Sequence, residues 1–450
     1  MAARRIKALD IWMNGFQVGR WELASVGADR LVYDRAWIDS SQGRPLSLSL
    51  PFTRGHGTEQ GSSLRGEFVS TYFENLIPDN ERILQRLRSR YGAASTQAFD
   101  LLAAIGRDCA GAVQLTPTGK SPTDAHRIDA EPLDESGVAQ LLRDTTSGGP
   151  LTDAEADAFR LSIAGAQEKT ALLKHQDRWC IPHGATPTTH IFKLPLGLVG
   201  NMRADLSQSV PLEWLSMEVA RELGLPVANV EIGKFEDQTA LIVERFDRQL
   251  SADNTWWQRI PQEDFCQALG LSPARKYEAD GGPGIRSIMD VLLGSENAEA
   301  DRRVFFTTQI LFWLMAATDG HAKNFSLHLR AGGAYRLTPL YDMLSTYPIQ
   351  GKGPNRLDAH KAKLAMAVAG RNRHYLIRDI HRWHWIALSE KLGLSDGAQL
   401  IESLTDQIPH ALDRIASRLS QDFPGDVFDA VNRGMRDAAK HIASEPDQRR

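Results

Sequence analysis

The sequence has little cysteine and no long hydrophobic run, and each absence excludes a class of protein. Its 450 residues include three cysteines that stand far apart, without a Cys-x-x-Cys pair: Cys109, Cys180 and Cys266. This spacing excludes a disulfide framework and disfavours a zinc–thiolate site. The longest apolar run, residues 310–317, is far shorter than the roughly 20 residues that cross a bilayer. We therefore expect a buried helix there.

The chain also lacks an excess of charge of either sign and a secretion signal. It has 52 Lys and Arg against 56 Asp and Glu, a formal net charge of −4, which does not indicate direct binding to nucleic acid. The basic residues at the N-terminus are not followed by the apolar segment of a signal peptide. Together with the unpaired cysteines, these features predict a cytoplasmic protein with no membrane partner.

Turn and strand signals are concentrated in the first part of the chain. Asn14-Gly15 between two apolar runs predicts a β-hairpin, because both residues accept the positive φ of a tight turn. Residues 45–51 alternate apolar and polar side chains and predict a half-buried strand, whereas residues 66–91 predict helix. The segment 116–132, which contains several prolines, is the best candidate for a linker.

The order of the later elements suggests how the chain is divided. A strand-rich stretch reaches about Arg248, and the remainder is mostly helical. A chain of this length is expected to hold two or three domains. The sequence therefore predicts an α+β protein with three successive domains, namely residues 1–120, residues 131–248 and residues 249–440.

The segment 318–324, Thr-Asp-Gly-His-Ala-Lys-Asn, contains the residues best suited to chemistry. An apolar helix is expected at 304–317, before it, and alternating apolar residues predict strands on both sides of the Gly-Gly turn at 332–333. If the hairpin turns between these glycines, Asn324 and Asp342 lie side by side at its open end.

Three oxygen-bearing side chains should thus converge at one end of the hairpin, since Asp319 lies on the loop that leaves the helix. Phosphoryl transfer from ATP uses such a set: a carboxylate accepts the proton of the substrate hydroxyl, while an Asn and a second Asp hold Mg²⁺. We therefore assign Asp319 as the catalytic base and Asn324 and Asp342 as metal ligands. The capping of turns would explain any one of these residues, but not all three together.

A second candidate site is the loop of small residues at 160–170, which ends in Lys-Thr. Glu168 stands where a Walker A loop has glycine, so the loop does not match that motif. Backbone N–H groups could still approach phosphates at its small residues, which are Ser162, Ala164, Gly165 and Ala166. A plain hairpin of small residues explains the pattern equally well.

A strand-like run at 188–194 carries one lysine, Lys193, near its end. A strand lysine that reaches the α- and β-phosphates is typical of a kinase small lobe, although an isolated strand lysine is more often a solvated edge residue. Glu213 or Glu218 on the following helix could pair with it, or both could be ordinary surface glutamates. Residues 240–246 predict a buried strand that runs into a connector suited to adenine.

Taken together, these motifs resemble those of the HipA family, the serine/threonine-kinase toxins of bacterial toxin–antitoxin pairs. The resemblance covers nearly the whole chain. Residues 162–173 are similar to the family's phosphate loop, residues 190–195 to its lysine strand, and residues 317–326 and 341–342 to its catalytic and metal motifs. Further similarities lie in the segments 44–51, 73–79, 261–267 and 276–283.

The resemblance implies a bilobal protein-kinase-like fold, with a small β-rich N-terminal domain packed on the small lobe and a mostly helical large lobe. It also implies ATP and Mg²⁺ as cofactors, with the same roles for Asp319, Asn324 and Asp342. The residues that it places at the nucleotide are Ala164, Gly165, Ala166, Gln167, Glu168, Lys169, Thr170, Lys193, Glu244, Phe246, His321 and Lys323. Ser162 is similar to the loop serine that such kinases autophosphorylate, where a phosphate would add about two negative charges.

The resemblance further implies a set of partners. The family's best-known substrate is glutamyl-tRNA synthetase, whose inactivation stalls translation and causes growth arrest and drug tolerance. A helix-turn-helix antitoxin of the HipB type binds the kinase, and the complex represses its own operon, so operator DNA is expected mainly through the antitoxin. Two other functions stay open from the residues alone: a small-molecule kinase and a catalytically silent corepressor. The four intact residues Asp319, Asn324, Asp342 and Lys193 argue against the corepressor.

Overall fold

The first strands form the hairpin that the Asn14-Gly15 pair predicts. The structure, a computed structural model, describes residues 7–24, 26–53, 62–122, 124–146, 161–162, 167–200, 203–370 and 372–447. Strand β1 (Lys7–Met13) pairs with β2 (Phe16–Leu23), and both turn residues have positive φ. The other strands of this part are β3 (Arg30–Tyr33), β4 (Ser63–Arg65), β5 (Asp108–Cys109) and β6 (Gln114–Pro117). The sheet runs in the order β4-β3-β2-β1-β6.

Short helices pack with this sheet around an apolar core. They are α1 (Arg35–Asp39), α2 (Glu67–Glu74), α3 (Glu81–Tyr91) and α4 (Ala98–Ile105). The helical stretch expected at 66–91 is therefore two helices separated by a short break. Strand alternation places one face of β1 in the core, where Trp21 stacks on Phe73 with ring centroids 4.0 Å apart.

The prediction of a strand at residues 45–51 is wrong. In the structure this segment forms turns. Its leucines enter apolar clusters, but its polar groups are also engaged: the Ser47 hydroxyl donates to the carbonyl of Gln267 (3.1 Å), and the Leu48 N–H donates to Glu263 Oε1 (2.9 Å). The apolar–polar alternation therefore reflects docking against the C-terminal half of the chain and not membership of a sheet.

A second sheet begins within the segment 116–132, whose last residues form its edge strand. Its strands are β7 (Ala130–Pro132), β9 (Lys169–His175), β10 (Arg178–Pro182), β11 (His190–Lys193), β14 (Val230–Phe235) and β15 (Gln238–Glu244), in the order β14-β15-β11-β9-β10-β7. Outside it, β8 (Leu161–Ser162) pairs with β5, and β12 (Gly197–Val199) pairs with β13 (Ala204–Leu206). Helices α5 (Glu135–Thr146) and α6 (Ser209–Glu222) both pack against β14 and β15.

The C-terminal part is mostly helical, as the sequence predicts. Its α-helices are α7 (Phe265–Ala268), α8 (Ile285–Val291), α9 (Ala298–Leu314), α10 (Arg382–Lys391), α11 (Gly397–Ala416) and α12 (Gly425–Ala443). Its strands are β16 (Arg248–Leu250), β17 (Trp257–Arg259), β18 (Gln262–Asp264), β19 (Ser326–Leu329), β20 (Tyr335–Leu337), β21 (Lys363–Ala369) and β22 (Arg373–Leu376). Short 3₁₀ helices are at Pro273–Arg275, Glu278–Asp280, Leu292–Gly294, Ala322–Asn324, Ala331–Gly333, Tyr347–Ile349, Ala359–Lys361 and Ile377–Asp379. This mixture confirms the predicted α+β class.

The apolar run at 310–317 lies inside this part, at the end of α9. The helix begins earlier than the expected 304 and stops at Leu314, because Ala316 adopts a positive φ of 50°. Its last turns are buried in the main apolar core. Across the described ranges, no helix is long and apolar enough to cross a membrane.

A buried cluster of ion pairs joins the N-terminal part to the segment after β15. Asp108 accepts hydrogen bonds from Arg245 (3.3 Å), Arg248 (2.9 Å) and Arg259 (3.4 Å). Asp247 pairs with Arg245 (2.9 Å) and Arg248 (3.1 Å). All five side chains are nearly inaccessible to solvent. Because the removal of one partner leaves a buried charge unpaired, such a cluster holds its backbone segments strongly in place.

Candidate active site

A cleft lies between the second sheet and the C-terminal part of the chain. It encloses about 1320 Å³, including space that is open to solvent. Its apolar lining includes Ile191, Leu196, Val243, Phe246 and Tyr341. Its charged and polar lining includes Lys169, Lys193, Asp319, Asn324 and Asp342. A ligand with an aromatic ring and anionic groups would match both kinds of surface.

Lys193 is a central cation of this cleft. It ends β11, and its ammonium nitrogen lies 2.6 Å from Glu213 Oε1 and 2.7 Å from Asp342 Oδ1. Burial alone would lower the pKa of Lys193, but the two carboxylates outweigh burial and hold this pKa above its usual value. The charged lysine therefore links helix α6 to the segment that follows β20.

The structure distinguishes the two glutamates that the sequence leaves equivalent. Glu213 faces Lys193, and 3% of its side chain is exposed. Glu218 points elsewhere and pairs with Arg221 (3.1 Å) and Arg418 (2.8 Å). Helix α6 is buried on most of its surface, so its pattern of apolar residues does not reveal which glutamate turns towards Lys193.

Asp342 has a backbone conformation that residues other than glycine seldom adopt. Its φ of 59° lies in the left-handed region, and such conformations are frequent at functional sites, where the surroundings enforce them. Burial would raise the pKa of its carboxyl, but Lys193 outweighs burial and lowers this pKa to about 2. The side chain is therefore an anion throughout the neutral range.

The β19–β20 hairpin brings Asn324 and Asp342 together, in agreement with the register expected from the sequence. Leu327 pairs with Leu337, and both glycines of the turn have positive φ. The Asn324 Nδ2 donates to the backbone carbonyls of Asp319 (2.8 Å) and Asp342 (3.4 Å). The carboxamide oxygen of Asn324 is thereby left as an acceptor for a further contact.

Asp319 lies on the loop between α9 and the hairpin, and its side chain is exposed at the cleft. Its carbonyl accepts the His321 N–H (2.8 Å) as well as the Asn324 amide. Its carboxylate accepts a hydrogen bond from the hydroxyl of Tyr277. An exposed carboxylate with fixed backbone is accessible to a hydroxyl group of an incoming substrate.

A second lysine, Lys169, begins β9 directly opposite Lys193 on the neighbouring strand. Burial lowers the pKa of Lys169 to about 8, and the charge of Lys193 contributes in the same direction. Two ammonium groups in one partly buried cleft repel each other. A polyanionic ligand would relieve this repulsion and is therefore favoured there.

The loop before Lys169 is described only in part. Ala164, Gly165 and Ala166 lie outside the described residues, as does the side chain of Ser162, whose backbone pairs with Cys109. Gln167 lines the cleft and donates to the carbonyl of Leu194 (2.5 Å). Glu168 pairs with Arg86 and, like Thr170, lines a smaller cavity beside the cleft. The structure therefore places Gln167 and Lys169 at the site, but not Glu168 or Thr170.

The connector after β15 forms another wall of the cleft. Glu244 ends the strand, and its N–H donates to the carbonyl of Asn229 (2.9 Å). The ring of Phe246 lies 5.6 Å from that of Tyr341 and 5.6 Å from that of His328. Arg245, between Glu244 and Phe246, belongs to the buried ion cluster and fixes this connector relative to the N-terminal part.

His321 and Lys323 lie between Asp319 and Asn324 in the segment 318–324, and both line the cleft. Burial lowers the pKa of His321, which keeps the ring neutral. The Lys323 ammonium donates to the carbonyl and Oδ1 of Asn75 (3.1 and 2.8 Å) and to Asp264 Oδ2 (2.7 Å). Since an ammonium group has three donors, Lys323 is committed to protein contacts that hold Asn75 beside the segment 318–324.

Several residues at the site have no role that the sequence predicts. Tyr277 contacts Asp319, Lys276 lines the cleft, and Asn75 and Asp79 reach the cleft from the N-terminal part. In the sequence, the segments 73–79 and 276–283 carry only a similarity to the HipA family. Their polar residues make contacts across the chain, and no periodicity or turn chemistry reveals such contacts.

The donor set at the hairpin fits one kind of metal ion. Among the described residues, no cluster of three or more His, Cys, Asp or Glu side chains could hold a metal. The donors at hand are the Asp342 carboxylate and the Asn324 carboxamide. Mg²⁺ is commonly bound by one or two protein oxygens together with substrate phosphates and waters, whereas a zinc site needs more protein ligands.

Two family models match the chain. The HipA-like C-terminal domain matches residues 161–415, and the HipA N-terminal domain matches residues 9–116. Among curated proteins, "Putative kinase Y4mE" of Sinorhizobium fredii is 31% identical over 414 residues, which cover 91% of this chain and 92% of that protein. "Serine/threonine-protein kinase toxin HipA" of Shewanella oneidensis is 29% identical over 434 residues, covering 94% and 89% respectively.

A solved structure has the same overall architecture. It is the Shewanella oneidensis complex of HipA, HipB and operator DNA, which matches with a TM-score of 0.76 and 24% identity over 97% of each chain. This likeness confirms the fold that the sequence motifs imply. The match of the C-terminal family model to more than half of the chain, and the relative that is 31% identical over nearly its whole length, establish that this chain belongs to the HipA family.

Proposed function

We propose that this chain is a kinase that transfers the γ-phosphoryl group of ATP to a serine or threonine hydroxyl of a protein. The observation that carries the proposal is the position of Lys193 between the carboxylates of Glu213 and Asp342. A strand lysine paired with a helix glutamate, next to a metal-binding aspartate, is the arrangement that protein kinases use. The names of the two curated relatives support the same activity.

The cleft offers a place for each part of ATP. The apolar residues Ile191, Val243 and Phe246 line it beside the connector, where an adenine ring would find apolar faces and backbone groups. Lys169 and Lys193 would contact the phosphates, which would also relieve the repulsion between the two ammonium groups. The nucleotide would thus span the cleft from the connector towards Asp319.

The side chains at the hairpin account for the chemical step. In this proposal the oxygen of a substrate hydroxyl attacks the γ-phosphorus, the bond from this phosphorus to the β–γ bridging oxygen breaks, and ADP leaves with that electron pair. Asp319 accepts the proton of the attacking hydroxyl. Positioning and charge stabilisation supply most of the catalysis in such reactions, and Lys193 contributes to both.

Asn324 and Asp342 would hold Mg²⁺, because their oxygens are the ligands that this ion prefers and they lie at one end of the hairpin. A bound Mg²⁺ would neutralise charge on the β- and γ-phosphates. Asp342 is suited to this role because it stays ionised at neutral pH.

The proposal extends to the biological setting. The matching solved structure is titled as a complex of HipA with HipB and operator DNA, and a curated relative is named a kinase toxin. We infer that this chain acts as the toxin of a toxin–antitoxin pair and binds a HipB-type antitoxin, with operator DNA held mainly through that antitoxin. Glutamyl-tRNA synthetase is the first protein to test as its substrate.

Autophosphorylation of Ser162 is part of the same proposal. A phosphate on this loop would repel the phosphates of ATP. Intact-mass measurement and peptide mapping of the wild type and of Ser162→Ala after incubation with Mg²⁺ and ATP would test it. The wild type should gain one phosphate that maps to Ser162. A wild type that gains none contradicts this part alone.

The activity itself is tested by a pair of matched substitutions. Asp319→Asn removes the proposed base, and Asp290→Asn alters an exposed aspartate on α8 away from the cleft. With γ-labelled ATP, Mg²⁺ and a bacterial extract, transfer by Asp319→Asn should fall at least about 100-fold, a typical loss for a general base. Asp290→Asn should behave as wild type. Retained transfer by Asp319→Asn would remove the assigned base.

A further inference from the structure

Tyr277 lies on a loop that packs directly against the segment 318–324, which contains Asp319. The loop runs between the 3₁₀ turns Pro273–Arg275 and Glu278–Asp280. The carbonyl of Lys276 accepts the N–H of Ala322 (3.2 Å), which ties this loop to the turn after Asp319. This backbone contact, next to Tyr277 in the chain, keeps the loop close to Asp319.

The hydroxyl of Tyr277 donates a hydrogen bond to Asp319 Oδ1. Among the described residues, this hydroxyl is the one donor that forms a hydrogen bond to the Asp319 carboxylate. The ring is fixed as well, since it meets the His321 ring edge to face at 5.0 Å. Burial and the nearby Asp319 charge raise the pKa of Tyr277 well above neutrality, so the hydroxyl remains a donor.

An ion pair between Asp79, in the N-terminal part, and Lys276 supports the loop that carries Tyr277. The ammonium of Lys276 lies 2.5 Å from Asp79 Oδ2 and 5.5 Å from the centre of the Tyr277 ring. The exposed fractions of the Lys276 and Asp79 side chains are 18% and 12%. A pair shielded in this way is screened little by salt and links the N-terminal part to the loop that carries Tyr277.

We propose that Tyr277 is a positioning residue for the Asp319 carboxylate and that Asp79, through Lys276, supports it from the N-terminal part. This inference rests on the proposed kinase function. A carboxylate has two oxygens, each with two acceptor sites. A hydrogen bond to Oδ1 fixes the rotamer of an otherwise exposed side chain and leaves Oδ2 directed at the substrate hydroxyl. Misplacement of such a group by about 1 Å can cost about 100-fold in rate.

The arrangement predicts a specific kinetic signature. Tyr277 contacts the base and not the nucleotide-binding lysines, so the loss of its hydroxyl should reduce kcat without changing KM for ATP. The opposite role, in which the tyrosine obstructs the substrate hydroxyl, would make its removal accelerate the reaction. The two roles therefore differ in the sign of the effect on kcat.

The test compares Tyr277→Phe with Tyr335→Phe in the full-length protein. Tyr335 also loses one hydrogen bond, from its hydroxyl to the carbonyl of Val291 (2.7 Å), but it lies on β20 away from the base. Initial rates of label transfer from γ-labelled ATP to proteins of a bacterial extract are measured over a range of ATP concentrations. Thermal melting and ATP binding of each variant establish that it is folded.

Tyr277→Phe should lower kcat by about 10- to 100-fold with KM for ATP within about twofold of the wild type, while Tyr335→Phe should match the wild type. Asp79→Asn should lower kcat in the same direction with KM for ATP unchanged, and it provides a second measurement if Tyr277→Phe does not fold. An unchanged or raised kcat in Tyr277→Phe, or a change confined to KM, overturns the inference.

The outcomes separate this inference from the proposed function. If the wild type labels no protein, the kinase proposal itself is contradicted. If the wild type is active, Asp319→Asn is inactive and Tyr277→Phe is fully active, only the positioning role is contradicted. An unchanged kcat in Asp79→Asn, with a reduced kcat in Tyr277→Phe, overturns the support from the N-terminal part.

Discussion

The ammonium of Lys193 lies 2.6 Å from Oε1 of Glu213, and the two side chains join the central strand β11 to helix α6. They are 20 residues apart in the chain and both nearly buried. This pair keeps the helix close to the sheet, and in the proposed function it orients the lysine towards the phosphates of ATP. The proposed catalysis depends on this pair, and a substitution of Glu213 tests that dependence.

Glu213→Gln keeps the size of the side chain but replaces the carboxyl group that accepts the hydrogen bond of Lys193 with a neutral carboxamide. We expect kcat/KM for ATP to fall by about 10- to 100-fold, equivalent to about 1.4 to 2.8 kcal/mol of transition-state stabilisation. Steady-state kinetics of label transfer measure this change. Glu218→Gln is the control, because Glu218 lies on the same helix and pairs with Arg221 and Arg418 outside the cleft. Equal losses in both variants would mean that the helix, and not the pair, carries the effect.

Asp342→Asn should weaken the binding of Mg²⁺. The substitution replaces the charged oxygen ligand with a neutral carboxamide, so the Mg²⁺ concentration for half-maximal activity should rise by about tenfold or more. A titration of activity with Mg²⁺ at saturating ATP measures it. Asp358→Asn, at an exposed 3₁₀ turn, serves as the reference. Metal dependence identical to that of the wild type would remove Asp342 from the metal site.

ATP affinity should decrease as the pH rises through about 8. The pKa of Lys169 in the free protein is lowered to about 8, so the ammonium that attracts phosphates loses its proton above this value. Bound phosphates favour the charged form and raise this pKa, so ATP binding takes up a proton between about pH 7.5 and 9. Isothermal titration in buffers of different ionisation enthalpy detects this uptake. Lys169→Met should bind ATP more weakly and take up no proton on binding. Proton uptake that persists in this variant would show that another group is responsible.

The buried ion cluster should contribute strongly to stability. Asp108→Asn leaves Arg245, Arg248 and Arg259 with too little negative charge in a region without solvent. The removal of one partner from a buried pair typically costs about 3 to 5 kcal/mol. Asp39→Asn breaks an exposed pair with Arg35, for which about 0.5 kcal/mol or less is expected. Urea unfolding followed by tryptophan fluorescence compares the two variants. A similar decrease in the free energy of unfolding in both variants would show that the buried cluster stabilises the fold no more than a surface pair does.

The features that the sequence predicts correctly are those set by local chemistry. The glycines at 332–333 fix the turn of the hairpin, and its register then brings Asn324 next to Asp342. The Asn14-Gly15 turn defines the first hairpin in the same way. In both cases the signal is a turn residue that accepts positive φ between two alternating segments. The proximity of Asn324 and Asp342 could therefore be predicted from residues close in the chain.

The features that the sequence misses depend on contacts between distant segments. Tyr277 and Asp319 are 42 residues apart, and Glu213 is distinguished from Glu218 only by the packing of α6 against the sheet. The prediction of a strand at 45–51 is wrong because alternating apolar and polar residues also arise where a segment docks onto Gln267 without joining a sheet. Hydrophobic patterns report that a residue is buried, but not which partner covers it.

The most direct test of the central claim is the transfer of label by the purified wild-type protein, with Mg²⁺ and ATP labelled at either the γ- or the α-phosphate. If the account is right, γ-labelled ATP labels a protein in the extract or the chain itself, α-labelled ATP labels none, and Asp319→Asn abolishes the signal. Wild-type protein that binds Mg²⁺ and ATP but labels no protein with either nucleotide would contradict the assignment of this cleft as the active site of a protein kinase.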